Sequence, residues 1–193
     1  MRNIYVHPHD APSLDALLTR GWLSAEEAKQ LADAIAARKT IVVAGGTARD
    51  RDVWFDALLT EVIAQEPRWD VVVYETASRE ARILKGTHAN ALDKHVAVRR
   101  IDDEGNISDL LSDWDSHLGG LGTVEATSPE RAVMKLAALA SEDLNWHPRL
   151  DDLFDLEHRV RSIVDWVVCV APSLTAILVN AKPADWIDPR DLD

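Results

Sequence analysis

Apolar residues along the chain follow two alternating patterns, short unbroken runs and longer stretches at helical spacing. Ala28, Leu31, Ala32, Ile35 and Ala36 share one helical face, behind the capping-box pair Ser24 and Glu27. Before them, Ser13 is placed to cap a short helix over Leu14–Arg20, which Gly21 ends. The run TIVVA at 40–44, closed by Gly45-Gly46, predicts a buried strand. Trp54, Leu58, Leu59, Val62 and Ile63 predict the inward face of a helix from about Asp52 to Gln65, which Pro67 breaks. DVVVYE at 70–75 is a second buried run. Strand, loop, helix and strand in this order predict a parallel sheet with helical crossovers.

The second half continues the alternation. A strand is expected at His95–Arg99, a helix at Ile107–Trp114, and a short strand at Leu121–Glu125 after Gly119-Gly120. Ser128-Pro129 opens a helix to about Ser141, since proline fits the first helical position. Asp151–Arg161 reads as a helix, Asp165–Ala171 as a buried strand, and Leu174–Asn180 as its antiparallel edge partner. The organisation expected is one α/β domain over 13–180, with 13–38 as a helical lead-in. Residues 1–12 read as a flexible tail and 181–193, with Pro183 and Pro189, as an irregular one.

Composition narrows the class. The chain has 193 residues, enough for a sizeable core, and 47% are apolar, which excludes disorder. No apolar run approaches the roughly 20 residues of a membrane span, and the start lacks a signal-peptide pattern, so the cytoplasm is the expected location. The lone Cys169 excludes an intramolecular disulfide and a cysteine-based zinc cluster, and its apolar strand context reads as inert core.

The net charge of −12 is unevenly placed. Residues 1–100 hold 14 acids and 14 bases, whereas residues 101–157 hold 14 acids against Arg131, Lys135 and Arg149. Such a stretch does not suit direct nucleic-acid binding, which needs a basic footprint. It is either a solvated acidic surface or a face for a basic partner.

The segment Ala44–Asp52 (AGGTARDRD) lies where a nucleotide-binding loop belongs, between a buried strand and a helix. A phosphate loop needs a second glycine, a lysine and a Ser or Thr at fixed spacing. Counting from Gly45, those places hold Asp50, Arg51 and Asp52. Two carboxylates there oppose a triphosphate, and a guanidinium is a poor replacement for the ammonium. By itself the segment is a Gly-Gly turn.

Several segments together resemble the plasmid conjugal-transfer ATPases, the hexameric traffic ATPases of type IV secretion. They are Ser13–Thr47, Phe55–Ile63, Trp69–Thr76, Leu110–Leu139 and Ser162–Val170. The resemblance implies a three-layer RecA-like P-loop core, with a mostly parallel sheet flanked by helices, here pared down. It also marks departures. The loop keeps Gly45, Gly46 and Thr47 but is substituted at Ala48, Asp50, Arg51 and Asp52. The acidic box keeps Glu75 and Thr76 and lacks the adjacent aspartate. The histidine box keeps His117, Gly119 and Gly120, with Glu125 at the second histidine position. The Walker B segment has no counterpart, and only 12 residues precede the resemblance where the family carries an N-terminal domain.

Other constellations have plain alternatives. His7-Pro8-His9-Asp10 has metal-binding residue types but no further ligands nearby, and reads as tail, so no metal is expected. His117 with Glu125 is either a proton-transfer pair or an inherited turn packing Gly119-Gly120. Trp54, just past the loop, is positioned to fill an empty nucleotide site. Trp146 and Trp186 lie in polar, proline-bearing segments and are candidate anchors, balanced against ordinary capping of the core.

The expectation is a catalytically inactive ATPase-like protein that needs no cofactor. It would bind and regulate or inhibit the conjugation apparatus, as a fertility-inhibition decoy, with a secretion ATPase or DNA-coupling ATPase as partner. Candidate contacts are Asp102, Asp103, Glu104, Asp109, Asp113, Asp115, Trp146 and Trp186. The alternatives are a silent subunit within an active ATPase oligomer and an acidic nucleic-acid mimic. Residual nucleotide binding through Arg51 is the enzyme-side alternative.

Overall fold

The computed structural model describes residues 10–65, 70–75, 81–85, 94–101, 107–142, 152–171 and 175–182. The expectations for His7 and His9, Thr76, Asp102, Asp103, Glu104, Trp146, Trp186 and most of the two tails lie outside these residues.

Two short helices enter the fold, α1 (Leu14–Thr19) and α2 (Ala25–Ala36). Ser13 caps α1 by accepting from the Ala16 amide. Ser24 and Glu27 form the full reciprocal box at α2, each side chain serving the other's backbone N–H. The inward face of α2 is Leu31, Ala34 and Ile35, with Ala28 and Ala32 partly buried beside it, whereas Ala36 is exposed. Strand β1 (Ile41–Gly45) follows, then the long helix α3 (Ala48–Gln65) and strand β2 (Asp70–Tyr74). Helix α3 begins four residues earlier than the sequence pattern predicts, inside the expected loop.

A strand the pattern missed, β3 (Ala81–Lys85), pairs antiparallel with β2. Next come β4 (Lys94–Ile101), α4 (Ile107–Asp113) with a π-helical turn at Trp114–Leu118, and β5 (Gly120–Val124). Helices α5 (Pro129–Glu142) and α6 (Asp152–Ile163) lead to β6 (Trp166–Val170) and β7 (Ala176–Asn180). The sheet order is β3-β2-β4-β5-β1-β6-β7. The five inner strands are parallel and both edge strands antiparallel. The β6–β7 pairing is the one expected from the sequence.

Period-two alternation divides β1 between two cores. Ile41 and Val43 face a cluster with Trp54, Phe55, Leu58 and Leu59 of α3, which α1 and α2 cover from outside. Val42 and Ala44 face a second cluster built from α4, α5 and α6. Trp54 is fully buried in the first cluster, so it packs α3 against the sheet and does not fill a ligand site. Strands β1 and β6 run as unbroken apolar segments, as central strands covered by helices on both faces do.

Trp114 fixes the second layer. It is 2% exposed, and its indole N–H donates to the Val96 carbonyl at 3.0 Å. The ring lies on Gly120 and Gly122 of β5, where any Cβ would run into it. Gly120→Ala should therefore destabilise the fold by about 1–3 kcal/mol, read as a lower midpoint in chemical denaturation. An unchanged midpoint would mean the ring can move aside.

Candidate functional site

In open α/β sheets, ligands sit at the carboxyl ends of the strands. Here that end gathers the Gly45–Thr47 turn, Glu75, the Arg99–Ile101 end of β4, Glu125 and Val170. The turn is shaped by packing as well as by chain reversal. Gly45 and Gly46 have φ of +79° and +53°, and a Cβ on Gly45 would strike the Val170 carbonyl of β6. The Gly45 amide is spent on the Ala126 carbonyl at 2.8 Å.

The start of α3 is capped by the chain itself. The first N–H groups of a helix have no partner within it and carry its positive end, so they favour an anion. Asp50 supplies one. Its carboxylate accepts from the Thr47 amide and the Thr47 hydroxyl, both at 2.8 Å, and the Asp50 amide donates back to that hydroxyl at 3.3 Å. This is a capping box with aspartate in the third helical position. The Thr47 backbone and side-chain bonds hold the Asp50 carboxyl below its usual range.

Arg51 folds back onto the turn. It is buried, and Nη1 donates to the Gly45 and Gly46 carbonyls at 2.9 and 3.0 Å. The guanidinium thus closes the turn from below. The residues in the three positions a phosphate loop depends on are therefore engaged internally: Asp50 caps the helix, Arg51 holds the turn, and Asp52 faces Arg99 and Arg100 at 3.6 and 3.9 Å. This arrangement does not fit a nucleotide triphosphate, since a fixed carboxylate stands where the phosphates would seek amides.

Sequence reasoning missed Arg99. Its Nη2 meets Asp56 at 2.6 Å, its Nε meets Glu75 at 3.4 Å, and its Nη1 meets Asp52. Its Cζ lies 4.9 Å from the Phe55 ring centroid. Two signals pointed to it. Asp52 and Asp56 are spaced one turn apart on a largely buried helix, and Arg99-Arg100 ends an apolar strand.

The remaining candidates are dispersed. His117 lies in the π-helical turn before β5, and Glu125 follows its far end. Strand β5 separates their backbones by roughly 16 Å, so they flank the strand. Gly119, with φ +74°, packs against Arg38, and Gly120 packs under Trp114, which matches the close-packed-turn reading. Asp109 and Asp113 are exposed on α4. Asp115 lines a cleft of about 190 Å³ with Lys39, Ser162 and Asp165, at the amino ends of β1 and β6 and so opposite the glycine turn. Burial pushes the Cys169 thiol up, in keeping with an inert residue. Among the described residues no His, Cys, Asp and Glu cluster has metal-site geometry, and no helix is long and apolar enough to cross a membrane.

The fold and the turn between β1 and α3 define a RecA-like, P-loop-type α/β core. The crystal structure of the VirB11 ATPase from the Brucella suis type IV secretion system, in complex with sulphate, shares it. The TM-score is 0.60 at 18% identity, over 92% of this chain and 55% of that one. No family model matches the chain. It is similar to the probable conjugal transfer protein TrbB of Sinorhizobium fredii (strain NBRC 101917 / NGR234) and to conjugal transfer protein TrbB of Rhizobium radiobacter. Each is 25% identical over 148 residues, covering 67% of this chain and 45% of the relative. The chain is a homologue of these two TrbB conjugal transfer proteins and spans less than half of their length.

The Asp50 cap predicts a pH dependence. A carboxyl whose folded value is depressed stabilises the fold above its unfolded value and loses that contribution as pH falls through the folded one. Wild type should exceed Asp50→Asn in stability at pH 7, and the gap should close below about pH 4. Equal stability of the two proteins at pH 7 would remove the charge from the cap.

Proposed function

We propose that this protein is a catalytically inactive ATPase relative that binds the conjugation or type IV secretion machinery and regulates or inhibits it. The homology to TrbB supports the setting. The observation that supports inactivity is the internal engagement of Asp50, Arg51 and Asp52, which leaves the turn without an anion seat, a mobile cation or a hydroxyl for a metal. Phosphoryl transfer is positioning plus electrostatic stabilisation, and both are lost when the loop is spent on itself.

A retained scaffold with no motor suits a decoy. Such a protein competes for a partner surface without supplying work, so its effect is dominant and dose-dependent. The partner in this reading is a secretion ATPase or the DNA-coupling ATPase, and the exposed acids Asp109 and Asp113 on α4 are the first contacts to change. Binding would then weaken with salt, as rim charges do.

The test is expression in a plasmid-bearing donor. Transfer frequency should fall with increasing protein, and Asp109→Lys with Asp113→Lys should relieve the fall. Transfer unchanged across plasmids with different transfer systems would overturn the regulatory reading. A rise in transfer, with co-purification of the intact ATPase, would instead support the silent-subunit alternative.

A further inference from the structure

The cleft at the amino ends of β1 and β6 goes beyond that reading, since it lies at the opposite end of the sheet from the glycine turn. Its volume of about 190 Å³ is below the roughly 300 Å³ at which drug-sized pockets begin, so it suits a molecule of amino-acid size. Two uncommon backbone features build its walls. Helix α2 ends in a Schellman motif, with the Lys39 amide on the Ala34 carbonyl and the Arg38 amide on the Ile35 carbonyl, both at 2.9 Å. That motif needs a left-handed residue, and glycine fills the place without strain, yet here Arg38 does so at φ +59°. The opposite wall is the π-helical turn Trp114–Leu118, and Gly119 after it presses on the Arg38 carbonyl, leaving no room for a Cβ. Strained left-handed residues and π-turns both concentrate at ligand sites.

The cleft also holds polar capacity of both signs beyond what its internal bonds take up. Asp165 is fully engaged: Oδ1 accepts from Lys182 at 3.0 Å and meets Lys39 at 3.3 Å, and Oδ2 accepts from the Thr40 amide at 2.9 Å. Lys182 is the closer and more buried partner, at 16% exposed against 46% for Lys39, so Lys39 can turn to a ligand without stranding the carboxylate. Beside it Arg38 carries five N–H donors. Across the cleft, the half-buried Asp115 carboxylate meets no donor among the described residues. The Ser162 hydroxyl donates to the Arg159 carbonyl at 2.7 Å, so its remaining capacity is as an acceptor. We propose that this cleft binds a small zwitterion, an amino acid whose carboxylates lie on Arg38 and Lys39 and whose ammonium lies on Asp115 and Ser162. Two cations against one carboxylate favour an acidic amino acid. The left-handed arginine is then kept for binding, at the expense of the fold.

Thermal unfolding of the whole 193-residue chain tests this, with L-glutamate as the probe and glutarate, which has both carboxylates and no ammonium, as the control. L-Glutamate should raise the melting temperature saturably, by about 3–5 °C at ten times its dissociation constant. Glutarate at equal concentration should raise it less. Arg38→Gly should melt no lower than wild type without ligand, because glycine relieves the left-handed strain, and should lose the response to L-glutamate. Asp115→Asn should keep a response but no longer distinguish L-glutamate from glutarate. No saturable rise with L-glutamate would overturn the proposal, as would a response that survives Arg38→Gly. A wild-type response to glutarate as large as that to L-glutamate would reduce the cleft to a simple anion site and overturn the zwitterion. A marked loss of stability in Arg38→Gly would show that the arginine serves the fold, and would overturn the proposal too. These outcomes are independent of transfer frequency, so either proposal can fail without the other.

Discussion

A helix that begins at the carboxyl end of a parallel strand presents unpaired N–H groups, and the protein must decide what satisfies them. In this chain Asp50 does so from within the same helix, in reciprocal hydrogen bonds with Thr47. Much else at the site end is arranged around that choice. Because Thr47 caps the helix, α3 starts at Ala48 and absorbs the positions where a phosphate loop would still be open. Because the helix starts early, Arg51 falls beneath the turn and holds its carbonyls, and Asp52 falls beside Arg99. The turn's own side chains thus engage its polar groups.

The strands and helices were legible where one period dominated. The inner strands β1 and β6 are unbroken apolar runs, and β7 was placed correctly as an antiparallel edge. Strand β3 was missed because ARILK is only five residues long, and Arg82 and Lys85 break the apolar run while adjacent Ile83 and Leu84 break the period-two alternation. The α3 boundary was missed because Ala48–Arg51 is polar, and polarity there reads as loop. Polarity in the first turn of a helix is also what a capping box looks like, and only the Thr47–Asp50 spacing separates the two. Trp54 illustrates a different limit. Its position after the loop suggested a plug for the site, but a helix starting at Ala48 turns position 54 toward the sheet.

The candidate site was half legible. Spacing from Gly45 singled out Asp50, Arg51 and Asp52 as residues that oppose a phosphate loop, and each has a partner within the chain: Thr47, the turn carbonyls, and Arg99 with Arg100. Arg99 was missed because its partners lie 47, 43 and 24 positions away, and the two local signals, the Asp52–Asp56 spacing and the Arg99-Arg100 strand end, do not by themselves link to each other. The acidic surplus of 101–157 reads from sequence as either a solvated acidic surface or a face for a basic partner. The structure spreads its described members over α4, the cleft at the opposite end of the sheet, the end of β5 and the helices α5 and α6.

The central claim is that the turn between β1 and α3 is closed by its own side chains. Amide chemical shifts of Gly45, Gly46, Thr47 and Ala48 report on it directly in an NMR titration with ATP and Mg2+. The account predicts that these resonances stay in place at millimolar nucleotide, with the Thr47 amide protected from exchange by its bond to Asp50. Saturable shifts at these four residues, accompanied by loss of Thr47 protection, would show an anion displacing Asp50 and would contradict it.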